Sequence, residues 1–211
     1  MKAGAPPVGL WLRLTEADLI APGLEADLRK IFWVINGSDW ERNMHAVELD
    51  GAVMERFPDK AAAVLALAAR NGMATLVRGD WRAAHTAGAD GVLLTDITHA
   101  PAAREAFGTE GIVGLACGTA GEAAAAHDAH LDCVSVASFE SLRFWVVLSD
   151  RPALVESPVT NDTVGFFVRA GATFLDGWTY ISTHPKGVAQ GTVNLLHAVD
   201  LALEQQSDTR E

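Results

Sequence analysis

Residues 87–96 read AGADGVLLTD. A turn of small residues, Ala87-Gly88-Ala89-Asp90-Gly91, runs into the apolar Val92-Leu93-Leu94, and the run stops at Thr95-Asp96. A short apolar run bounded by turn residues is the pattern of a buried strand. Two other stretches, AHLDCVSVAS at 129–138 and AGATFLDGWT at 170–179, repeat the plan of turn, apolar run and polar finish. The three lie about forty residues apart, close to the length of two successive strand–helix units.

Extending the reading outward gives eight strands: Gly9–Thr15, Met44–Leu49, Ala74–Arg78, Gly91–Asp96, Gly111–Cys117, Cys133–Ala137, Pro152–Glu156 and Ala172–Asp176. Helical stretches lie between them. Asp59–Arg70 is rich in Ala and Leu and stops at Asn71-Gly72, while Gly121–His130 and Val164–Ala170 look similar. The last helix, Val188–Glu204, is expected to run out into a fraying polar tail, 205–211. Eight strands, each followed by a helix, predict a single-domain (β/α)₈ barrel over residues 1–204. An open doubly wound sheet is the alternative, but it rarely shows so even a two-unit repeat.

The bulk numbers agree. A chain of 211 residues that is 49% hydrophobic and 20% charged can bury a full core. Its net charge of −11, with no stripe of Lys or Arg, argues against nucleic acid or an anionic membrane as partner. The expected partner is a small-molecule ligand, and a homodimer is allowed. No apolar run reaches the roughly 18 residues that span a bilayer, and the N-terminus does not read as a signal peptide, so the expected location is the cytoplasm. Cys117 and Cys133 fall in predicted strands and read as packed thiols.

In such a barrel the strand interiors are packed and chemistry gathers at the C-terminal strand ends. Those ends carry Glu48 and Asp50, Arg78 and Asp80, Thr95 and Asp96, Glu156 and Asp176, with Arg13 on the first strand. Alternation places Glu48 and Asp50 on one face. Six carboxylates around one mouth call for a metal, a cationic ligand or a carboxyl group tuned for proton transfer. The competing reading makes several of them helix caps, Asp96 above all. Trp81 and Trp178, just past strand ends 3 and 8, could stack a flat heterocycle or simply pack between loop and helix. The seven histidines lack HxH or HExxH spacing, and His127 and His130 read as surface residues. Neither GxSxG nor a P-loop occurs.

The stretch GMATLVRGDWRAAHTAGADGVLLTD, followed by GIVGLACGTAGEAAAAHDAHLDCVSVAS, resembles thiamine phosphate synthases over residues 72–138. The resemblance implies a (β/α)₈ fold. For intact members it also implies coupling of hydroxymethylpyrimidine diphosphate to thiazole phosphate with Mg²⁺, releasing pyrophosphate. Several family motifs are changed here. The strand-2 Gln-x-Arg-x-Lys corresponds to Glu48-Leu49-Asp50-Gly51-Ala52, and the strand-3 Asn-Asp pair falls near Arg78-Gly79 beside Asp80. The strand-4 His-Leu-Gly-Gln reads Leu93-Leu94-Thr95-Asp96, the strand-5 serine is Ala116, and the Thr-rich loop after strand 6 is Ser138-Phe139-Glu140-Ser141. The Gly-Gly phosphate cradle after strand 7 reads Glu156-Ser157-Pro158. A proline there removes an N–H and the glutamate adds a like charge, and both oppose phosphate.

Three functions follow as expectations. In a divergent transferase, Asp80 and Asp96 hold Mg²⁺, Arg78 meets the diphosphate, and Trp81 or Trp178 covers the ring. Glu48, Asp50, Thr95 and Glu156 line the same mouth. The second function is a non-catalytic barrel that binds a metal or an unphosphorylated ligand. The third is an aldolase or epimerase using a carboxylate base.

Overall fold

The structure, a computed structural model, describes residues 8–157 and 159–208. Eight strands form, each at its expected place and several a residue or two shorter. They are β1 (Gly9–Leu14), β2 (Ala46–Asp50), β3 (Ala74–Arg78), β4 (Gly91–Leu94), β5 (Ile112–Cys117), β6 (Cys133–Val136), β7 (Ala153–Val155) and β8 (Phe174–Asp176). Each pairs in parallel with the next, and β8 pairs with β1 to close the barrel. Helices occupy the connections, as parallel strands require.

Strand alternation builds two cores from one sheet. Leu10, Leu12 and Leu14 of β1, Val47 and Leu49 of β2, and Val92 and Leu94 of β4 face the surrounding helices in the larger core. Trp11, Ala46, Leu76, Leu93, Cys133 and Leu154 fill the barrel interior. This two-sided burial is why the strands read as continuous apolar runs. Cys117 and Cys133 are free and buried, as expected, and burial pushes both thiols up to about 12.

The forty-residue repeat has a specific physical cause. Asp90, the residue before β4, accepts hydrogen bonds from the N–H and Oγ1 of Thr75 on β3, at 2.8 and 2.7 Å. Asp132, before β6, accepts from the N–H of Val113 on β5 at 2.7 Å. Thr173, before β8, accepts on Oγ1 from the N–H of Ala153 on β7 at 2.7 Å. The first pair of strands follows the same rule through a different residue. His45, before β2, accepts on Nδ1 from the N–H of Leu10 on β1 at 3.0 Å. Every even-numbered strand is therefore entered through a polar residue that satisfies a backbone donor on the odd-numbered strand before it. The clamps recur once per pair of strand–helix units, and all four lie at the N-terminal end of the barrel.

The helix Pro58–Arg70 begins with Pro at its first position and ends at Asn71-Gly72, where Gly72 has φ +75°. The last helix, Val188–Asp208, continues beyond the expected end at Glu204. Gln206 donates to the carbonyl of Val168 at 3.0 Å, tying the polar segment to the end of the helix Val164–Arg169. His127 is half-buried with its ring edge against Trp145, so only His130 is the surface residue expected of the pair.

Candidate functional site at the C-terminal strand ends

One step above Trp11, Ala46, Leu76, Cys133, Leu154 and Phe174, the inward phase of the strands reaches Arg13, Glu48, Arg78, Ser135, Glu156 and Asp176. The apolar layer therefore gives way abruptly to a charged one. Arg78 binds Glu48 through two nitrogens, Nε to Oε1 at 2.6 Å and Nη2 to Oε2 at 3.3 Å. Its Nη1 lies 2.9 Å from Oε1 of Glu156. The same Oε1 accepts the hydroxyl of Ser135 at 2.6 Å. Arg13 closes the ring, donating from Nη1 to Oε2 of Glu156 at 3.0 Å and lying 3.6 Å from Glu48 through Nε. Two cations and two anions alternate, so the ring is electrically complete. The Arg78 guanidinium also lies 5.8 Å from the centre of the Trp11 ring.

Burial grades the ring. The Glu48 side chain is 1% exposed and the Glu156 side chain 16%. Burial raises the Glu48 carboxyl above its ordinary value, and Arg78 and Arg13 offset only part of this. Burial also opposes ionisation of Glu156, but Arg78, the Ser135 hydroxyl and Arg13 outweigh it and hold its carboxyl below the ordinary value. Arg78 is held more firmly protonated, because the two carboxylates outweigh its burial.

Asp176 belongs to no closed pair. Its Oδ1 accepts the N–H of Trp178 at 3.2 Å. Burial pushes its carboxyl up to about 7, against smaller opposing effects from that bond and from Arg13. A carboxyl group that titrates near neutrality at the working end of a barrel can both take up and release a proton.

The remaining strand-end acids do not join them. Asp50 is exposed and accepts the N–H of Ala52, capping the helix Gly51–Arg56, so it leaves the face it shares with Glu48 by alternation. Asp80 accepts from the N–H groups of Arg82 and Ala83 and caps the helix Trp81–Thr86. Asp96 accepts from the N–H and hydroxyl of Thr98 at 2.9 and 2.7 Å, and these bonds hold its exposed carboxyl below the ordinary value. The capping reading of Asp96 is the one the geometry shows. Both expected Mg²⁺ ligands thus spend oxygen atoms on helix starts. Among the described residues, no group of three or more His, Cys, Asp or Glu is arranged to hold a metal.

Neither expected aromatic platform is free. Trp178 is 7% exposed and packs in the outer core. Trp81 packs against that core, with the Arg82 guanidinium 4.4 Å from its ring centre. Thr95 is exposed at the rim and follows the phase of the inward-facing Leu93. Pro158 lies outside the described residues. Ser135 went unnoticed in the sequence; its signal was a hydroxyl on the inward phase of the otherwise apolar CVSV, two residues after Cys133.

Known proteins share this fold. The model of the thiamine monophosphate synthase family matches residues 48–141, from Glu48 through the helix start after β6. Thiamine phosphate pyrophosphorylase from Pyrococcus furiosus superposes with a TM-score of 0.71 at 17% identity, covering 93% of this chain and 97% of that one. The 3-hexulose-6-phosphate synthase of Salmonella typhimurium gives 0.69 at 15% identity over 93% and 99% of the two chains. KGPDC from Streptococcus mutans gives 0.65 at 12% identity over 93% and 99%. No curated protein matches the chain by sequence. These structural likenesses establish the fold, and the family match bears out the resemblance to thiamine phosphate synthases over the middle strands.

Proposed function

We propose that this thiamine phosphate synthase-like barrel is an enzyme that acts on a small molecule at its C-terminal mouth, with Asp176 transferring the proton. The observation that carries the reading is the position of Asp176. It ends β8 on the inward phase, beside a completed ion-pair ring rather than within it. Arg13, 36% exposed, is the ring member nearest to solvent and supplies positive charge beside the carboxyl. The reaction class that fits is proton abstraction or delivery on a small carbonyl or heterocyclic compound, as in an epimerase or aldolase. Fold analogy alone would not choose it, since barrels host many chemistries.

The family match over residues 48–141 favours a second reading, the transferase that joins a pyrimidine diphosphate to a thiazole phosphate. It requires Mg²⁺, and Asp80 and Asp96 each already commit Oδ1 to a helix start. A cytoplasmic location and a homodimer are part of either proposal. Among the described residues, no helix is long and apolar enough to cross a membrane.

Deuterium exchange separates the readings. The protein is incubated in D₂O with a panel of small carbonyl and heterocyclic compounds, and loss of C–H signal is followed by NMR. Exchange is expected with at least one compound, and Asp176→Asn should abolish it. The wild-type rate should rise as the pH climbs through about 7, because the basic form of Asp176 accumulates there. Equal exchange by wild type and Asp176→Asn across the panel would remove Asp176 from the mechanism. Pyrophosphate release from the two thiamine precursors with Mg²⁺ would establish the transferase instead.

A further inference from the structure

Glu156 is held as a bound oxyanion would be. One of its oxygens receives Arg78 Nη1 at 2.9 Å and the Ser135 hydroxyl at 2.6 Å, and the other receives Arg13 Nη1 at 3.0 Å. Two guanidinium groups and a hydroxyl converging on two oxygens are the recognition set of a carboxylate or phosphate ligand. The group they hold follows β7, in the quarter of the barrel mouth where phosphate sites are frequently built. Here the anion belongs to the chain itself.

We propose that Glu156 is a built-in anion filling an oxyanion pocket made by Arg13, Arg78 and Ser135, and that it restricts the mouth to ligands without a phosphate, neutral or singly cationic. The inference rests on the mouth being the ligand site, and it specifies what that site accepts. Arg13 and Arg78 are balanced by Glu48 and Glu156, so the ring has no uncommitted cation for an incoming phosphate. A phosphate would have to displace Glu156 and leave its carboxylate beside a like charge in a partly desolvated place. A neutral ligand meets no such repulsion. A singly cationic one meets the surplus acid, Asp176, once that group has ionised.

The test uses inorganic phosphate as the probe on the full chain, with chloride at matched ionic strength as control. Melting temperature and calorimetric titration are measured for wild type, Glu156→Ala, Glu156→Gln and the double variant Glu156→Ala/Arg13→Met. Phosphate is expected to leave the wild type unchanged, to raise the melting temperature of Glu156→Ala, and to bind that variant at least about tenfold more tightly than wild type. The double variant should lose the gain. If Glu156→Ala is too unstable to titrate, Glu156→Gln keeps the shape without the charge, and phosphate should protect it in the same direction. Two outcomes overturn the proposal: wild type binding phosphate as tightly as the variants, or folded single variants showing no gain. A gain that persists in the double variant also overturns it, because the pocket would then not be the one described. None of these readouts depends on proton transfer, so the role of Asp176 can fail while this inference stands, and the reverse.

Discussion

At the N-terminal end of the barrel, His45, Asp90, Asp132 and Thr173 each bind a backbone N–H of the preceding strand. At the C-terminal end, Arg13, Glu48, Arg78, Ser135 and Glu156 bind one another. The first end spends its polar side chains on register, and the space inside them is an apolar cavity of about 180 Å³ walled by Met44, Ala46, Leu76, Ile112 and Phe174 among others. The second end spends its polar side chains on a shared electrostatic arrangement that places no strand. A clamp serves a few nearby groups, as His45 serves Leu10 and Trp40 and Asp132 serves Val113 and Arg104, so its loss should be local. A ring acts as a unit, so removal of one member strands the others.

That difference is broken most severely by Arg78→Met. It leaves Glu48, 1% exposed, without its two-nitrogen partner, and should cost about 3–5 kcal/mol in denaturant titration. Adding Glu48→Gln to the same protein should restore a large part of the loss. Purely additive losses would show that the ring is not a unit.

The clamps should show a smaller, graded series. His45 is buried, and its Nδ1 accepts from Leu10, so Nε2 carries the proton that is donated to the carbonyl of Trp40 at 2.9 Å. His45→Ala should cost about 2–3 kcal/mol by leaving both backbone groups unpaired. Burial holds the His45 pKa below its ordinary value of 6.5, so the folded chain binds fewer protons than the unfolded one in mildly acidic solution. Its contribution is therefore complete above pH 6.5 and is lost as the pH falls below it. His45→Ala should flatten that slope. Asp90→Ala, at a more exposed clamp, should cost about 1–2 kcal/mol.

The smallest effects should come from the helix caps. Asp80→Ala should cost about 1 kcal/mol and Asp80→Asn almost nothing. Asp96 should follow the same order, its alanine variant melting below the asparagine one. Mg²⁺ added to wild type and Asp96→Asn should shift both melting temperatures equally. A Mg²⁺ stabilisation confined to wild type would restore Asp96 to a metal site.

The barrel was legible because burial on both faces leaves a coarse trace: eight short apolar runs and a recurring turn. Three of the four clamp residues, Asp90, Asp132 and Thr173, occupy the same place in the quoted repeats, but the pattern read there as a turn did not disclose their partners, and His45 lies outside it. What the sequence concealed was side-chain direction at the strand ends. Alternation could have excluded Asp96, which follows the phase of Val92 and Leu94 toward the helices, while Thr95 follows Leu93 inward. Alternation could not have excluded Asp50 or Asp80, which share the inward phase of Glu48 and Arg78. There the strand phase ends, a helix begins, and its free N–H groups draw in the nearest carboxylate. Which acid meets which arginine across the barrel is a matter of closure, and no local pattern records it.

Trp11 stands between the two ends. Its indole is fully buried in the barrel interior, with the Arg78 guanidinium 5.8 Å from the ring centre. An indole so placed is an optical voltmeter for the ring above it. Its emission energy responds to the local field, and the protein shields it from bulk water. With the other five tryptophans replaced by phenylalanine, occupancy of the mouth, or a change of charge at Glu156, would therefore be written into the ultraviolet fluorescence of this one residue, without a label and without knowledge of the ligand.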